Sequence, residues 1–210
     1  MPHQPAIKYL AKADPVMRRL MKEIGVCTLE PQQARQPFES LVRAIAHQQI
    51  HGKAAEAILG RFIALYPGKF PKPGDIIETE TDAMRGCGFS MSKIAAIRDI
   101  AAHTLSGTVP TLAKIKKMPD EEIVQRLIQI RGVGRWTVEM LLIFQLGRPD
   151  ILPIDDFGVR NGFRIAYKLD AMPKPREVLE RGALWQPYRT VASWYLWRAA
   201  DKSKEKLTKP

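Results

Sequence analysis

Two features of this chain carry residue types suited to chemistry, and they lie within one short stretch. Asp155 and Asp156 form an adjacent carboxylate pair after Pro153, at the start of a helix-like segment. Upstream, Arg131-Gly132-Val133-Gly134 joins two apolar helix-like segments. An Asp just before a helix ordinarily caps it by accepting a backbone N–H bond. A pair allows a division of labour, one residue capping while the other faces a pocket as a catalytic carboxylate. The Gly-Val-Gly turn suits a different task. Glycine tolerates positive φ and lets another backbone come close. The first N–H groups of the helix starting near Arg135 would then suit a phosphate oxygen, with Arg131 and Arg135 adding positive charge. The plain alternatives are two structural aspartates and a helix corner that binds nothing.

Positioning these residues falls to a chain of 210 residues, long enough for one domain with a full core or two small helical lobes. Lys+Arg 33 against Asp+Glu 22 gives a net charge of +11. That excess points to an anionic partner, nucleic acid first. Cys27 and Cys87 are the only cysteines, which excludes a disulfide framework and a four-thiolate iron–sulfur or zinc site. Two reduced thiols fit an intracellular protein, in cytoplasm or nucleoid if bacterial and in the nucleus if eukaryotic. No run reaches the ~18 apolar residues of a membrane span, and MPHQPAIKYL lacks the pattern of a secretory signal.

The apolar periodicity is helical almost throughout, and the fold class is read as all-α. Phe38, Leu41, Val42, Ile45 and Ala46 share one helical face after Pro37. Ala54, Ile58, Phe62 and Leu65 continue in a second helix, ending near Pro67-Gly68. Ile94, Ile97, Ile100 and Ala101 mark a third, with Ser90 or Ser92 as its cap. Asp120 is expected to cap Glu121–Ile130, and further helices at about 135–146, 157–168, 174–182 and 188–200. Residues 66–74, rich in Pro and Gly, read as a loop. The basic tail 201–210 reads as loosely attached.

Here the residues begin to match a family. I-R-G-V-G-R-W-T-V-E-M-L resembles the helix–hairpin–helix of DNA glycosylases, and L-P-I-D-D-F-G-V-R the Pro-Asp segment that completes that motif. The alkylbase, or 3-methyladenine, DNA glycosylase II family is the nearest resemblance. Ala46-His-Gln-Gln-Ile-His-Gly-Lys-Ala-Ala55, Gly88-Phe-Ser-Met-Ser-Lys93 and the helix from Pro187 to Trp197 resemble further segments of it, in order over about 35–200. The resemblance implies one glycosylase domain of two helical lobes with a DNA-binding cleft between them. The central lobe would span about 37–160, and the second about 1–36 plus 161–200. Some relatives carry an N-terminal β-rich domain, for which this sequence has no counterpart.

The same resemblance implies roles for single residues. Asp156 would be catalytic, with Asp155 as its support or cap. Trp136, Trp197 and Met140 would line the base pocket; Met140 stands where some relatives have an aromatic. Arg131, Gly132, Gly134, Arg135 and Thr137 would bind DNA, together with Gln48, Gln49, Ile50 and His51. Gln49 or Ile50 would be the wedge filling the gap left by a flipped base. Read from spacing alone, that last segment is equally a helix break, and each Trp is equally a core residue. Bifunctional members use a Lys in the second hairpin helix; Trp136 stands there, and no Lys lies between Arg135 and Arg160. A monofunctional enzyme acting as a monomer on double-stranded DNA with alkylated bases is expected. It would need no cofactor or protein-bound metal and no membrane, though hairpin carbonyls could hold a cation. A DNA-binding module without chemistry, a glycosylase for oxidised or mismatched bases, and an RNA-binding protein remain the rivals.

Overall fold

The computed structural model describes residues 3–208, with side chains described as far as residue 203. Among the described residues the chain forms thirteen α-helices and no strand. In order they are α1 (Gln4–Ala13), α2 (Pro15–Ile24), α3 (Pro37–His47), α4 (Gly52–Ala64), α5 (Pro73–Glu78), α6 (Thr81–Gly86) and α7 (Met91–Leu105). There follow α8 (Leu112–Ile115), α9 (Asp120–Leu127), α10 (Arg135–Leu141), α11 (Phe157–Tyr167), α12 (Pro175–Gly182) and α13 (Arg189–Thr208). A π-helical segment, Leu142–Leu146, continues directly from α10.

The chain divides into two compact units, Gln32–Leu141 and Met1–Pro31 with Leu142–Pro210. The division at 141/142 corrects the boundary expected near residue 160. Residues 142–160 pack with the terminal unit, and the change of unit coincides with the change from α to π winding.

In the terminal unit, α11 and α13 pack closely and α2 lies against both. Gly162 permits the approach: a Cβ there would sit 1.9 Å from the Leu196 carbonyl oxygen. Asp14 starts α2. Its Oδ1 accepts from the N–H groups of Val16 and Met17 at 2.9 and 3.4 Å. Its Oδ2 accepts from Trp185 Nε1 at 3.1 Å and from the Tyr167 hydroxyl. Burial pushes this carboxyl up, but the four donors outweigh it and hold the group below its ordinary value. The hydroxyl of fully buried Tyr195 donates to the Gly25 carbonyl at 2.9 Å, and burial pushes this phenol up to about 12.

In the Gln32–Leu141 unit, α3 contacts α4, α7 and α10, and α10 contacts α9. The expected apolar faces form its core: Leu41, Val42, Ile45 and Ala46 of α3 are fully buried, as are Ile97, Ile100 and Ala101 of α7. Ser90 rather than Ser92 caps α7, accepting from Lys93 N–H at 3.4 Å. Pro119 occupies the N-cap of α9, so Asp120 is its first residue and not its cap, and the helix stops at Leu127. The loop read over 66–74 ends where Pro73 opens α5. The tail is also corrected: α13 runs unbroken to Thr208, leaving only residues 209–210 of the expected tail outside the described residues.

Candidate active site

Asp156 is the N-cap of α11. Its Oδ1 accepts two N–H bonds, from Val159 N at 2.7 Å and from Trp197 Nε1 at 2.7 Å. The first fixes the side chain at the helix start, and the second ties it to α13. The expected cap is therefore corrected: Asp156 caps α11, and Asp155 is exposed. The geometry explains the difference. The capping oxygen lies one residue before the first helical residue, Phe157, and only Asp156 occupies that place.

Trp197 is half-buried, and its ring stacks on Phe144 with centroids 5.5 Å apart and planes at 27°. Phe144 comes from the π segment and is exposed. Sequence reasoning missed it, because in the run Leu-Leu-Ile-Phe it looks like one more core residue. Gly158 was missed as well. A Cβ there would lie 2.8 Å from Trp197 Cδ1 and 3.1 Å from Asp156 Oδ1. Only glycine leaves room for the indole to reach the carboxylate. Its signal in the sequence is a helix-disfavouring residue in a first helical turn. Of the three neighbouring aromatics on α13, Trp197 is the one bonded to Asp156. Tyr195 is buried, and Trp194, 8% exposed, lies beneath the Arg198 guanidinium.

The hairpin turn lies in the Gln32–Leu141 unit. Gly132 has φ +77°, and a Cβ there would meet Ala96 Cβ at 3.0 Å and Ile45 Cδ1 at 3.4 Å. Glycine is thus required twice, by conformation and by close approach. Gly134 differs: it has open space where a side chain would go. Val133 is buried beneath the turn. The Arg131 N–H donates to Asp99 Oδ2 at 2.7 Å. Arg135 Nη2 pairs with Glu121 Oε1 at 2.7 Å across an exposed surface. Bonds from Gln125 and Arg135 hold the Glu121 carboxyl below its ordinary value. Thr137 is 4% exposed. It sits on the buried face of α10 with Val138 and Leu141. Trp136 is 46% exposed, and Met140 is half-buried.

Between α3 and α4 the chain turns through Gln48, Gln49, Ile50 and His51. Gln49 takes φ +58°, unusual for a residue other than glycine. It is exposed, as is Ile50. His51 caps α4 through Nδ1, which accepts from Lys53 N–H at 3.4 Å. Gln48 Nε2 donates to the Gly132 carbonyl at 3.0 Å, so this loop is bonded directly to the hairpin turn. The structure therefore brings Asp156 and Trp197 together in one unit. Gln48 and Gly132 meet in the other, which also holds Trp136 and Met140.

Comparison with known proteins shows the family. The family described as HhH-GPD superfamily base excision DNA repair protein matches residues 42–187. The chain belongs to this helix–hairpin–helix superfamily of base excision DNA repair proteins. It is 42% identical over 206 residues to DNA-3-methyladenine glycosylase 1 of Schizosaccharomyces pombe, covering 96% of this chain and 89% of that one. The solved structure of the S. pombe 3-methyladenine DNA glycosylase Mag1 in complex with abasic DNA superposes with a TM-score of 0.84, over 93% of this chain and 96% of that chain. A DNA-3-methyladenine glycosidase from Bacillus halodurans, 32% identical, superposes with a TM-score of 0.86 over 97% and 92% of the two chains.

Proposed function

We propose that this protein is a monofunctional alkylbase DNA glycosylase of the type II class. It would extrude a 3-methyladenine-like base from double-stranded DNA and hydrolyse its N-glycosidic bond. The observation that carries the reading is the Asp156 carboxylate, fixed at the head of α11 by two N–H donors beside the Trp197–Phe144 aromatic pair.

The chemistry follows from charge. As the bond from C1′ to the base nitrogen lengthens, positive charge builds on the sugar. A fixed carboxylate stabilises that charge where it develops, without reorganising. The bonding electron pair leaves with the base. An alkylated purine already carries a positive ring and departs neutral, so the site needs no dedicated acid. Water adds to C1′ and loses its proton, leaving an abasic site. The aromatic faces of Trp197 and Phe144 attract a cationic base more than a neutral one, which supports selection for alkylated purines. No amine nucleophile lies between Arg135 and Arg160, which supports hydrolysis without a lyase step.

The hairpin turn would hold the phosphate backbone, with Gly132, Gly134 and Arg131 at its tip and Arg135 leaving Glu121 to join them. Loop 48–51 would fill the gap left by the base, with Trp136 and Met140 further along α10. Hairpin carbonyls are oxygen donors of the kind that hold a cation, and a cation at Gly132 would share its carbonyl with Gln48. The reaction at Asp156 requires no cofactor. We read the protein as an intracellular monomer; no helix among the described residues is long and apolar enough to cross a membrane.

The test is release of free base from methylated duplex DNA by wild type and by Asp156→Asn. Asn keeps the capping oxygen but removes the charge, so the fold is retained. The expected loss is about 10²–10³-fold in rate, with DNA affinity little changed. Release by neither protein, with DNA bound by both, would leave a binding module.

A further inference from the structure

We propose that Gln48 is a positioning residue that couples the hairpin turn to the base-displacing loop, so that backbone grip and base extrusion act as one movement. The proposal rests on the glycosylase reading above and adds a residue to it.

The loop at 48–51 is short and held on every side but one. Before it, Lys93 Nζ donates to the Ala46 carbonyl at 2.8 Å, near the C-terminal end of α3. A cation there suits the helix dipole and satisfies a carbonyl that has no partner within the helix. Burial holds this ammonium below its ordinary range. After the loop, His51 caps α4. At its start, Gln48 Nε2 reaches Gly132 O, 84 positions away in sequence. What remains unheld is the exposed pair Gln49 and Ile50, with Gln49 in the left-handed region. A residue held there without glycine is strained, and such strain persists only where its surroundings impose it.

The hairpin shares this floor. Gly132 seats against Ile45 of α3 and Ala96 of α7, and Lys93 belongs to the same α7. The turn that presents amides and the loop that presents Gln49 therefore rest on the same two helices. Gln48 is the side-chain bond that joins them. Phosphate drawn to the turn would fix the Gly132 peptide, and through Nε2 the start of the loop. Without that donor the hairpin can still bind backbone, but the loop loses its registration to it.

The test uses Gln48→Met, which keeps length and shape and removes the donor, and Gln48→Ala as a second form. Each is made in wild type and in a chain whose loop is already blunted by Gln49→Ala with Ile50→Ala. The readouts are melting temperature, affinity for undamaged duplex, and single-turnover base release from methylated duplex. Both Gln48 variants are expected to lose less affinity for undamaged duplex than they lose in base release, because the hairpin's phosphate contacts are intact. Single-turnover release should fall about 3- to 10-fold, the worth of one hydrogen bond. In the blunted background the same change should have no further effect, because Gln48 acts through the loop. Three results overturn the proposal: release equal to wild type, an equal further loss in the blunted background, or a loss explained by lowered melting temperature. If wild type itself releases no base, the glycosylase reading fails instead.

Discussion

The two units hold their candidate functional groups by different mixtures of bonds. In the Gln32–Leu141 unit, side chains hold backbone groups: Asp99 takes the Arg131 N–H, Gln48 the Gly132 carbonyl, and Lys93 the Ala46 carbonyl. In the terminal unit, side-chain donors join backbone ones: Trp197 with the Val159 N–H on Asp156, and Trp185 and Tyr167 with the Val16 and Met17 N–H groups on Asp14. The tasks differ in the same way. Phosphates repeat along a duplex and are met by presented amides and diffuse positive charge, so the shape of a turn is what must be kept. Charge developing on one sugar atom must be met by one carboxylate in one place. Bonds at an exposed turn exchange with water at little cost, whereas a buried donor without its partner carries the full desolvation penalty. Changes in the terminal unit should therefore act on stability and turnover, and changes in the other unit on DNA affinity and base extrusion.

The largest effect is expected at Asp14. Replacing it with Ala removes the cap of α2 and strands the Tyr167 hydroxyl and Trp185 N–H in a buried site. The loss should reach about 3 kcal/mol or more in a urea-denaturation experiment, with a cooperative transition retained. A loss below about 1 kcal/mol would break the comparison, since it would mean the buried bonds of this unit are no stronger than exposed ones. The same group sets an acid limit. Its folded pKa lies below its ordinary value of 3.8, so its contribution is complete above that value. It is lost as pH falls from there through the lowered folded pKa. Asp14→Asn should flatten this acid limb in melting temperature measured against pH.

Next in size are two substitutions that act on one bond from opposite ends. Trp197→Phe keeps a ring against Phe144 and removes the donor to Asp156. Gly158→Ala keeps the donor and places a methyl group where the indole lies, 2.8 Å from Cδ1. Each should lower the turnover number about tenfold without changing affinity for undamaged duplex. The pair sharpens the comparison, because an effect on DNA affinity from either would give the terminal unit a share of the grip. A similar magnitude is expected at Gly132 in the other unit, with the opposite readout. Ala at φ +77° costs about 1–2 kcal/mol and crowds Ala96, so duplex affinity should fall about tenfold. Gly134→Ala, with open space around it, should leave stability nearly unchanged.

How much of this was legible in the sequence follows the same division. The long amphipathic helices were readable, since apolar spacing reports the buried face directly: α3, α4, α7 and α11 fall within a few residues of expectation. Helices α5, α6 and α8, of six residues or fewer, are too short to show a period. Asp156 and Trp197 could be named, but not their bond, because 41 positions of sequence separate them. The cap was assigned to the wrong aspartate because both stand before the helix, and a shift of one residue decides which oxygen meets the free N–H groups. Thr137 stands in the motif by its place after the turn, and its burial follows from the apolar face of α10. The π winding at 142–146, which carries Phe144, leaves no mark in composition.

The smallest effect concerns charge. Glu121 places a carboxylate beside the hairpin and holds Arg135 at 2.7 Å, and the bonds from Gln125 and Arg135 keep it charged below the usual carboxylate range. Glu121→Gln removes one repelling charge and releases one arginine. Affinity for undamaged duplex should rise about two- to fivefold at low salt, and the slope of log affinity against log salt should steepen by about 1. The control is Glu180→Gln in the terminal unit, where a more exposed pair joins Arg176 and Glu180 at 2.8 Å. The net-charge change is the same, so equal gains from both would mean that DNA senses only total charge. A gain confined to Glu121 places the grip at the hairpin, because a surface pair stabilises the fold too little for its loss to act by another route.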